Sequence, residues 1–159
     1  MSLSEKVIGK HYRYPDHYEV EREKVREYAV AVKNDAPFYS EDDAATDLGY
    51  RALVAPLTFM SVFGYQAQVA FFESAGVGIQ DAQIVQVDQA VKYLEPIQAG
   101  DKLYYDVYGE SVRQAHGTDI IVLKSVVSNE AGDIVQESYT TLAGRSEGNE
   151  ESGFNDDSA

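Results

Sequence analysis

Few side chains in this sequence can move a proton at neutral pH, and their spacing does not gather them. His11, His17 and His116 lack metal-ligand spacing and fall in loops or at the ends of elements. Cysteine is absent, so there is no thiol nucleophile and no disulfide. Asp35 stands in a loop beside Pro37; a solvated carboxylate is the ordinary expectation there and a general acid the alternative. What the residues offer instead is binding. Thr58, Ser61 and Tyr65 put polar groups on an apolar segment, and buried polar groups need partners, which a channel or an interface would supply. Gln86 and Gln89 break the alternation of a strand, where inward amides would meet a ligand or a second subunit. Phe59 and Val62, with Phe63, Phe71 and Phe72, either line an apolar channel or fill the core.

The elements that must position these residues follow from periodicity. Val25, Tyr28, Ala29 and Val32 make an apolar stripe that predicts a helix from Glu21 to Val32. Its early Glu21 and Glu23 suit the positive end of the helix dipole. A loop around Pro37 spans Asp35–Tyr39, and a short helix follows over Ser40–Leu48. Ser40 is the expected N-cap, with Asp43 three residues on, and Gly49 the left-handed stop. Pro56 then opens the longest apolar helix, Leu57 to Ser74, with Pro tolerated in the first turn. Eighteen residues at ~1.5 Å each span roughly 27 Å. Apolar side chains around most of its circumference predict a buried helix. Gly64 within it costs about 1 kcal/mol against Ala, which a close neighbour would justify.

Four strand-like stretches come next: Val85 to Tyr93, Lys102–Arg113, Thr118–Ser128 and Ile134–Gly144. His116-Gly117 marks one turn, and Asn129–Asp133 reads as a hairpin loop with Gly132 at the positive-φ position. Residues 146–159 are acidic and polar with one aromatic, and are expected to be a disordered tail after a single domain over 1–145. A helix followed by antiparallel strands makes the fold class α+β.

At 159 residues the chain is long enough for a real core. The formal net charge of -14 argues against a nucleic-acid partner, which requires a basic face. No stretch approaches the ~18 uninterrupted apolar residues of a membrane span, and the first residues lack the apolar core of a secretory signal. A cytoplasmic location is the expectation.

Residues 31–59, AVKNDAPFYSEDDAATDLGYRALVAPLTF, resemble the hydratase motif of the MaoC-like hotdog enzymes. That motif runs G-D-x-N-P-x-H, then a short helix, then G-Y-x-x-x-x-A-P. The frame is kept in Pro37, Gly49-Tyr50 and Ala55-Pro56. The family's catalytic Asp falls on Asn34, its Asn on Ala36 and its His on Tyr39. Longer matches carry the resemblance further: His11 to Val20, Ala55 to Phe59, Phe63-Gly64-Tyr65, Gln83 to Gln89, Ala99 to Leu103 and Tyr139 to Gly144. Over roughly residues 5–145 the chain is similar to the HadA/HadC-type subunits of the mycobacterial (3R)-hydroxyacyl-acyl-carrier-protein dehydratase, and closest to the HadA type. Ser61 stands where that type usually has Cys.

The resemblance implies a hotdog fold, in which a curved antiparallel sheet wraps a long buried central helix. It implies no cofactor, and a heterodimer whose HadB-like partner carries the catalytic Asp and His. The chain itself would hold a long acyl tail beside its central helix, through Thr58, Phe59, Ser61, Val62 and Tyr65. Gln86 and Gln89 would meet the thioester arm. The implied setting is type II fatty acid synthesis, in mycolic acid precursor elongation. The alternatives are a self-sufficient homodimeric hydratase or thioesterase, and a purely structural subunit. Asn34 has no ionisable proton and the Tyr39 phenol titrates near ~10, against ~6.5 for a histidine, so the isolated chain is expected to be inactive. An acyl carrier protein is itself acidic. Its docking would need a basic patch, drawn from Arg13, Arg22, Lys24, Arg26 and Arg51, or one supplied by the partner.

Overall fold

Four stretches in period 2 become four long strands because alternate side chains point to opposite faces of a sheet. The computed structural model describes residues 1–146 and 152–156. In it β4 (Ile84–Tyr93), β5 (Lys102–Ala115), β6 (Thr118–Ser128) and β7 (Ile134–Arg145) form one antiparallel sheet. Short β1 (His11–Arg13) extends it, giving the order β1-β5-β6-β7-β4, and β2 (Tyr18–Glu19) pairs with the start of β5. The β5–β6 reversal is the expected two-residue turn, with His116 and Gly117 both at positive φ (50° and 74°). In the β6–β7 loop Gly132 takes φ 83°, and Asn129 Oδ1 accepts bonds from the N–H groups of Ala131 and Asp133 at 3.0 Å each.

The central helix, α4 (Ser61–Ser74), packs on one face of this sheet. Phe63, Ala67 and Phe71, four residues apart, form its inward stripe. They meet a sheet face built from Leu103, Tyr105, Val107, Ile121 and Leu123, and the Phe63 and Tyr105 rings lie edge to face 5.1 Å apart. The helix is shorter than its sequence suggests. Residues 57–60 make tight turns instead, with Phe59 N–H on Pro56 O and Ser61 N–H on Thr58 O. Fourteen residues span about 21 Å. Nor is the helix buried all round: the sheet covers one side, and Ser61, Tyr65, Gln66 and Glu73 remain exposed.

Ahead of it lie α2 (Arg22–Ala31), a 3-10 turn (Pro37–Tyr39) and α3 (Asp42–Asp47). Val25 and Ala29 bury the α2 stripe as expected, but Val32 is exposed. The end of α2 is a Schellman motif: Asn34 N–H bonds Ala29 O at 2.8 Å and Lys33 N–H bonds Val30 O at 3.0 Å. Lys33 therefore takes φ 58°, at the position where the hydratase motif has Gly. Ser40 is not the cap of α3. It closes the 3-10 turn, its hydroxyl bonds Pro37 O at 3.4 Å, and Glu41 is the cap residue. Gly49 takes φ 89°, the expected left-handed stop.

Two features were not legible in the sequence. Helix α1 (Leu3–Val7) opens on a capping box between Ser2 and Glu5. It lies so close to β5 that a Cβ on Gly109 would sit 1.9 Å from Val7 O. The other feature corrects the disordered-tail expectation, in so far as the tail is described; residues 147–151 and 157–159 lie outside the described residues. Residues 154–156 form β8, which pairs with β3 (Val77–Ile79), and Phe154 is 1% exposed. One aromatic in an acidic stretch suffices because Gly144 makes room for it: a Cβ there would meet the Phe154 ring at 2.8 Å. Phe154→Ala should therefore lower unfolding free energy by about 3–5 kcal/mol, the usual loss for a buried Phe. Urea unfolding checks this, and an unchanged midpoint would mean that β8 does not pack.

A cavity between the central helix and the free edge of the sheet

Ser61, Gly64, Tyr65 and Gln68 follow one another at helical spacing, so they share one stripe of α4, beside the buried Phe63 stripe. This stripe is small or polar, and it overhangs a sheet face that is polar at the same level. Helix-facing positions of β7 are Gln136, Ser138 and Thr140, and across β6 Ser125 lies opposite Ser138. On the other side, β4 places Gln89 opposite Thr140 and Val91 opposite Ser138. Between helix and sheet is a cavity of about 180 Å³. Gln86 and Gln89 both line it, although three residues apart on a strand should point opposite ways. A bulge between Gln86 and Asp88 resets the alternation and brings both amides inward.

The polar groups around this cavity are partly tied. Tyr28 Oη lies 2.7 Å from Thr58 Oγ1 and 3.2 Å from Ser61 Oγ, and donates to Thr58 O at 2.9 Å, which pins α2 to the start of α4. Gln68 Nε2 donates to Thr140 Oγ1 at 3.1 Å. Ser125 Oγ, buried on the cavity floor, has no partner among the described residues. Among the described residues no Asp, Glu, His, Lys or Arg lines the cavity. Its titratable groups are three tyrosines, and all are pushed away from neutrality. Burial and the hydrogen bond to Asp81 push the Tyr65 hydroxyl up to about 12. Burial also raises Tyr93 and, more strongly, Tyr105. The arrangement can bind and orient a ligand, but it cannot take up a proton near pH 7.

A second, wider cavity of about 390 Å³ adjoins the first and shares Leu57, Tyr93 and Gln136 with it. Phe38, Tyr39 and Tyr50 form one side, and Leu94, Pro96 and Ile97 the other. Residues 6–138 match the family model described as the FAS1-like, dehydratase domain region. The chain belongs to that dehydratase-domain family. Its relatives include a UPF0336 protein of Mycobacterium tuberculosis (strain ATCC 25618 / H37Rv), 64% identical over all of both chains. A second UPF0336 protein of that strain is 45% identical, covering 91% of this chain and 87% of that one. Among solved structures, the C-terminally truncated HadBC (3R)-hydroxyacyl-ACP dehydratase complex of M. tuberculosis contains a similar chain. It superposes with a TM-score of 0.79 at 44% identity, over 87% of this chain and 97% of that one. A MaoC-like dehydratase matches with a TM-score of 0.80 at 38% identity, over 88% of this chain and 42% of that longer one. The fold is the hotdog fold of these dehydratases.

In this dehydratase domain the stretch expected to match the hydratase motif carries Asn34 and Tyr39 at the positions expected for its Asp and His. Tyr39 opens onto the second cavity and packs on Phe38, ring centroids 4.4 Å apart. Asn34 lines neither cavity, and its backbone serves the Schellman motif. Asp35 is exposed in its loop. Of the seven expected contact residues, Thr58, Ser61, Tyr65, Gln86 and Gln89 meet around one cavity. Two do not belong there. Phe59 is fully buried against Tyr18 and Tyr28. Val62 lies off the Ser61–Tyr65 stripe and packs on the core. Sequence reasoning missed Gly64, Gln68, Ser125, Gln136 and Ser138; the signal was present in β7, whose alternate residues Gln136, Ser138 and Thr140 are all polar.

His11 and most of the basic residues are otherwise engaged. His11 Nε2 lies 2.6 Å from Asp106 Oδ1, and its ring stacks on Tyr108. Arg13 shares the Asp106 carboxylate, Arg22 pairs with Asp42 and Glu23, Arg26 with Glu23, and Arg51 with Asp101. Four of the five residues expected to form a basic patch are thus neutralised by near neighbours. Among the described residues no group of three or more His, Asp or Glu side chains is placed to hold a metal. No helix among them is long and apolar enough to cross a membrane.

Proposed function

We propose that this chain is the non-catalytic, acyl-chain-binding subunit of a heterodimeric (3R)-hydroxyacyl-acyl-carrier-protein dehydratase. The observation that carries the reading is the double role of β4, which is both the wall of a cavity without a base and the free edge of the sheet. Ten residues long, β4 pairs among the described residues on one side only, with β7. Its Val85 and Val87 are 60% and 57% exposed. A long edge that exposes two valines invites a second chain to pair with it, and whatever pairs there sits beside the cavity. The 44% identity to a chain of the HadBC complex supports a second hotdog subunit in that place.

In the complex the partner's Asp and His perform the elimination. The proton at C2 of the thioester is removed, the C3 hydroxyl is protonated and leaves as water, and the C2–C3 double bond forms. This chain positions the tail against Leu57, Met60, Gly64 and Val91. Burial is worth about 0.8 kcal/mol per methylene, so chain length is selected here while chemistry is done next door. The setting is cytoplasmic type II fatty acid synthesis, in the elongation of mycolic acid precursors, with the substrate delivered by an acyl carrier protein. Because four of its five candidate basic residues are paired, the acidic carrier docks on the partner.

Co-expression with a hotdog subunit that retains both Asp and His tests the pairing. The two should elute together from a sizing column and stay together through dilution. A homodimer that ignores every such partner and turns over substrate itself would instead establish a self-sufficient hydratase or thioesterase.

A further inference from the structure

The floor of the first cavity carries hydrogen-bonding capacity that the chain itself leaves unused. On β7 the helix-facing Gln136, Ser138 and Thr140 are 7%, 7% and 0% exposed, and Ser125, opposite Ser138 on β6, is 3% exposed. Thr140 is satisfied: its hydroxyl oxygen accepts from Gln68 Nε2 at 3.1 Å and from Gln89 Nε2 at 3.5 Å. The other three are not. Ser125 Oγ has no partner among the described residues, and neither Gln136 nor Ser138 makes a side-chain hydrogen bond among them. All three line the cavity. Buried polar side chains are nearly always paired, so three unpaired neighbours on one wall point to a partner from outside the chain. A plain hydrocarbon is not that partner, because it would shut water away from all three and return no hydrogen bond. A charged group is not served either, since among the described residues no charged side chain lines the cavity to compensate it.

We infer that the acyl chain held here bears an uncharged oxygen function, a hydroxyl or a ketone, along its tail, and that Ser125, Gln136 and Ser138 recognise it. The inference rests on the acyl-binding reading above and narrows its substrate class. Each of the three side chains can donate, two through a hydroxyl and one through a carboxamide NH₂, and a neutral oxygen acceptor uses that capacity without bringing charge into the cavity. Methylenes on either side of the oxygen still meet Leu57, Met60, Gly64 and Val91, the apolar part of the same lining. The cavity is thus suited to a tail that is hydrocarbon with one polar point, and that point holds the chain at a fixed place along the floor.

The test is hydration by the reconstituted complex of trans-2-dodecenoyl-CoA beside derivatives that carry a hydroxyl or a ketone at successive carbons beyond the fourth. Wild type should favour the best-placed oxygenated chain over the plain one by roughly 2- to 12-fold in kcat/KM, the worth of one net hydrogen bond, with the preference peaking at one position. Ser125→Ala combined with Ser138→Ala removes two hydroxyls that hold nothing in the free chain, so the melting temperature should be maintained while the preference falls to about one. If the double variant does not fold, Ser125→Ala alone should at least roughly halve the preference. Equal kcat/KM for plain and oxygenated chains at every position, with dodecenoyl still favoured over crotonyl, would mean that water alone serves the floor; it overturns the inference and leaves the acyl-binding role standing. A preference that survives undiminished in a folded variant overturns recognition by this floor. A wild type no better on dodecenoyl than on crotonyl overturns both the inference and the acyl-binding reading.

Discussion

Purified alone, the chain should hydrate crotonyl-CoA or longer enoyl thioesters at least about 10²-fold more slowly than when paired with a catalytic subunit. Absence of a positioned general base typically costs about 10²–10⁴ in rate. The structure gives two reasons for expecting the full cost. The cavity has no carboxylate or imidazole on its wall, and burial holds its tyrosines protonated. Tyr39, expected at the histidine position of the hydratase motif, lines the second cavity, and a phenol at pH 7 is a poor base. Steady-state hydration followed by loss of enoyl absorbance makes the comparison. Equal rates for the chain alone and the pair would transfer the chemistry to this chain.

Filling the cavity should cost almost as much, but only for long substrates. Gly64 is the position to use, because an added Cβ would meet nothing closer than Tyr105 Oη at 3.9 Å and would point into the cavity. Gly64→Leu introduces a branched side chain where the proposed tail would lie. Denying burial to two to four methylenes at about 0.8 kcal/mol each weakens long substrates roughly 15- to 200-fold. A four-carbon substrate, which does not reach α4, should lose little. The same substitution removes a helix glycine, which favours folding by up to about 1 kcal/mol. Loss of long-chain activity with a maintained or raised melting temperature is therefore the expected pair of results. An equal loss at every length would favour a subunit that only stabilises its partner.

Gly64 also shows what the sequence revealed and what it hid. Helical spacing alone relates Ser61, Tyr65 and Gln68, and the same geometry sets Val62 about 100° off that stripe, where it packs against the core. Gln86 and Gln89 stood out as polar residues in an apolar strand. That both face the cavity depends on a bulge, which no period-2 reading contains. Pro56 suits the first turn of a helix and a chain of tight turns equally well, which is why α4 begins four residues later than expected. Composition averaged Phe154 away among acidic neighbours, and its burial depends on Gly144 in β7, which leaves room for the ring. The four strands and the helix were legible because each repeats its pattern several times. The cavity was only half legible because it is made where patterns from α4, β4, β6 and β7 meet.

The most direct measurement leaves the cavity alone and strikes the degenerate motif. Asn34→Ala combined with Tyr39→Phe removes whatever proton chemistry those two side chains retain. Neither substitution touches the Schellman backbone bonds or the α4 stripe. In the reconstituted complex, kcat for crotonyl-CoA hydration should stay within about threefold of wild type, because in the proposed complex the acting acid and base belong to the partner. A fall of 10² or more, the size expected for a lost general base, with the complex still assembled, would contradict a non-catalytic role for this chain.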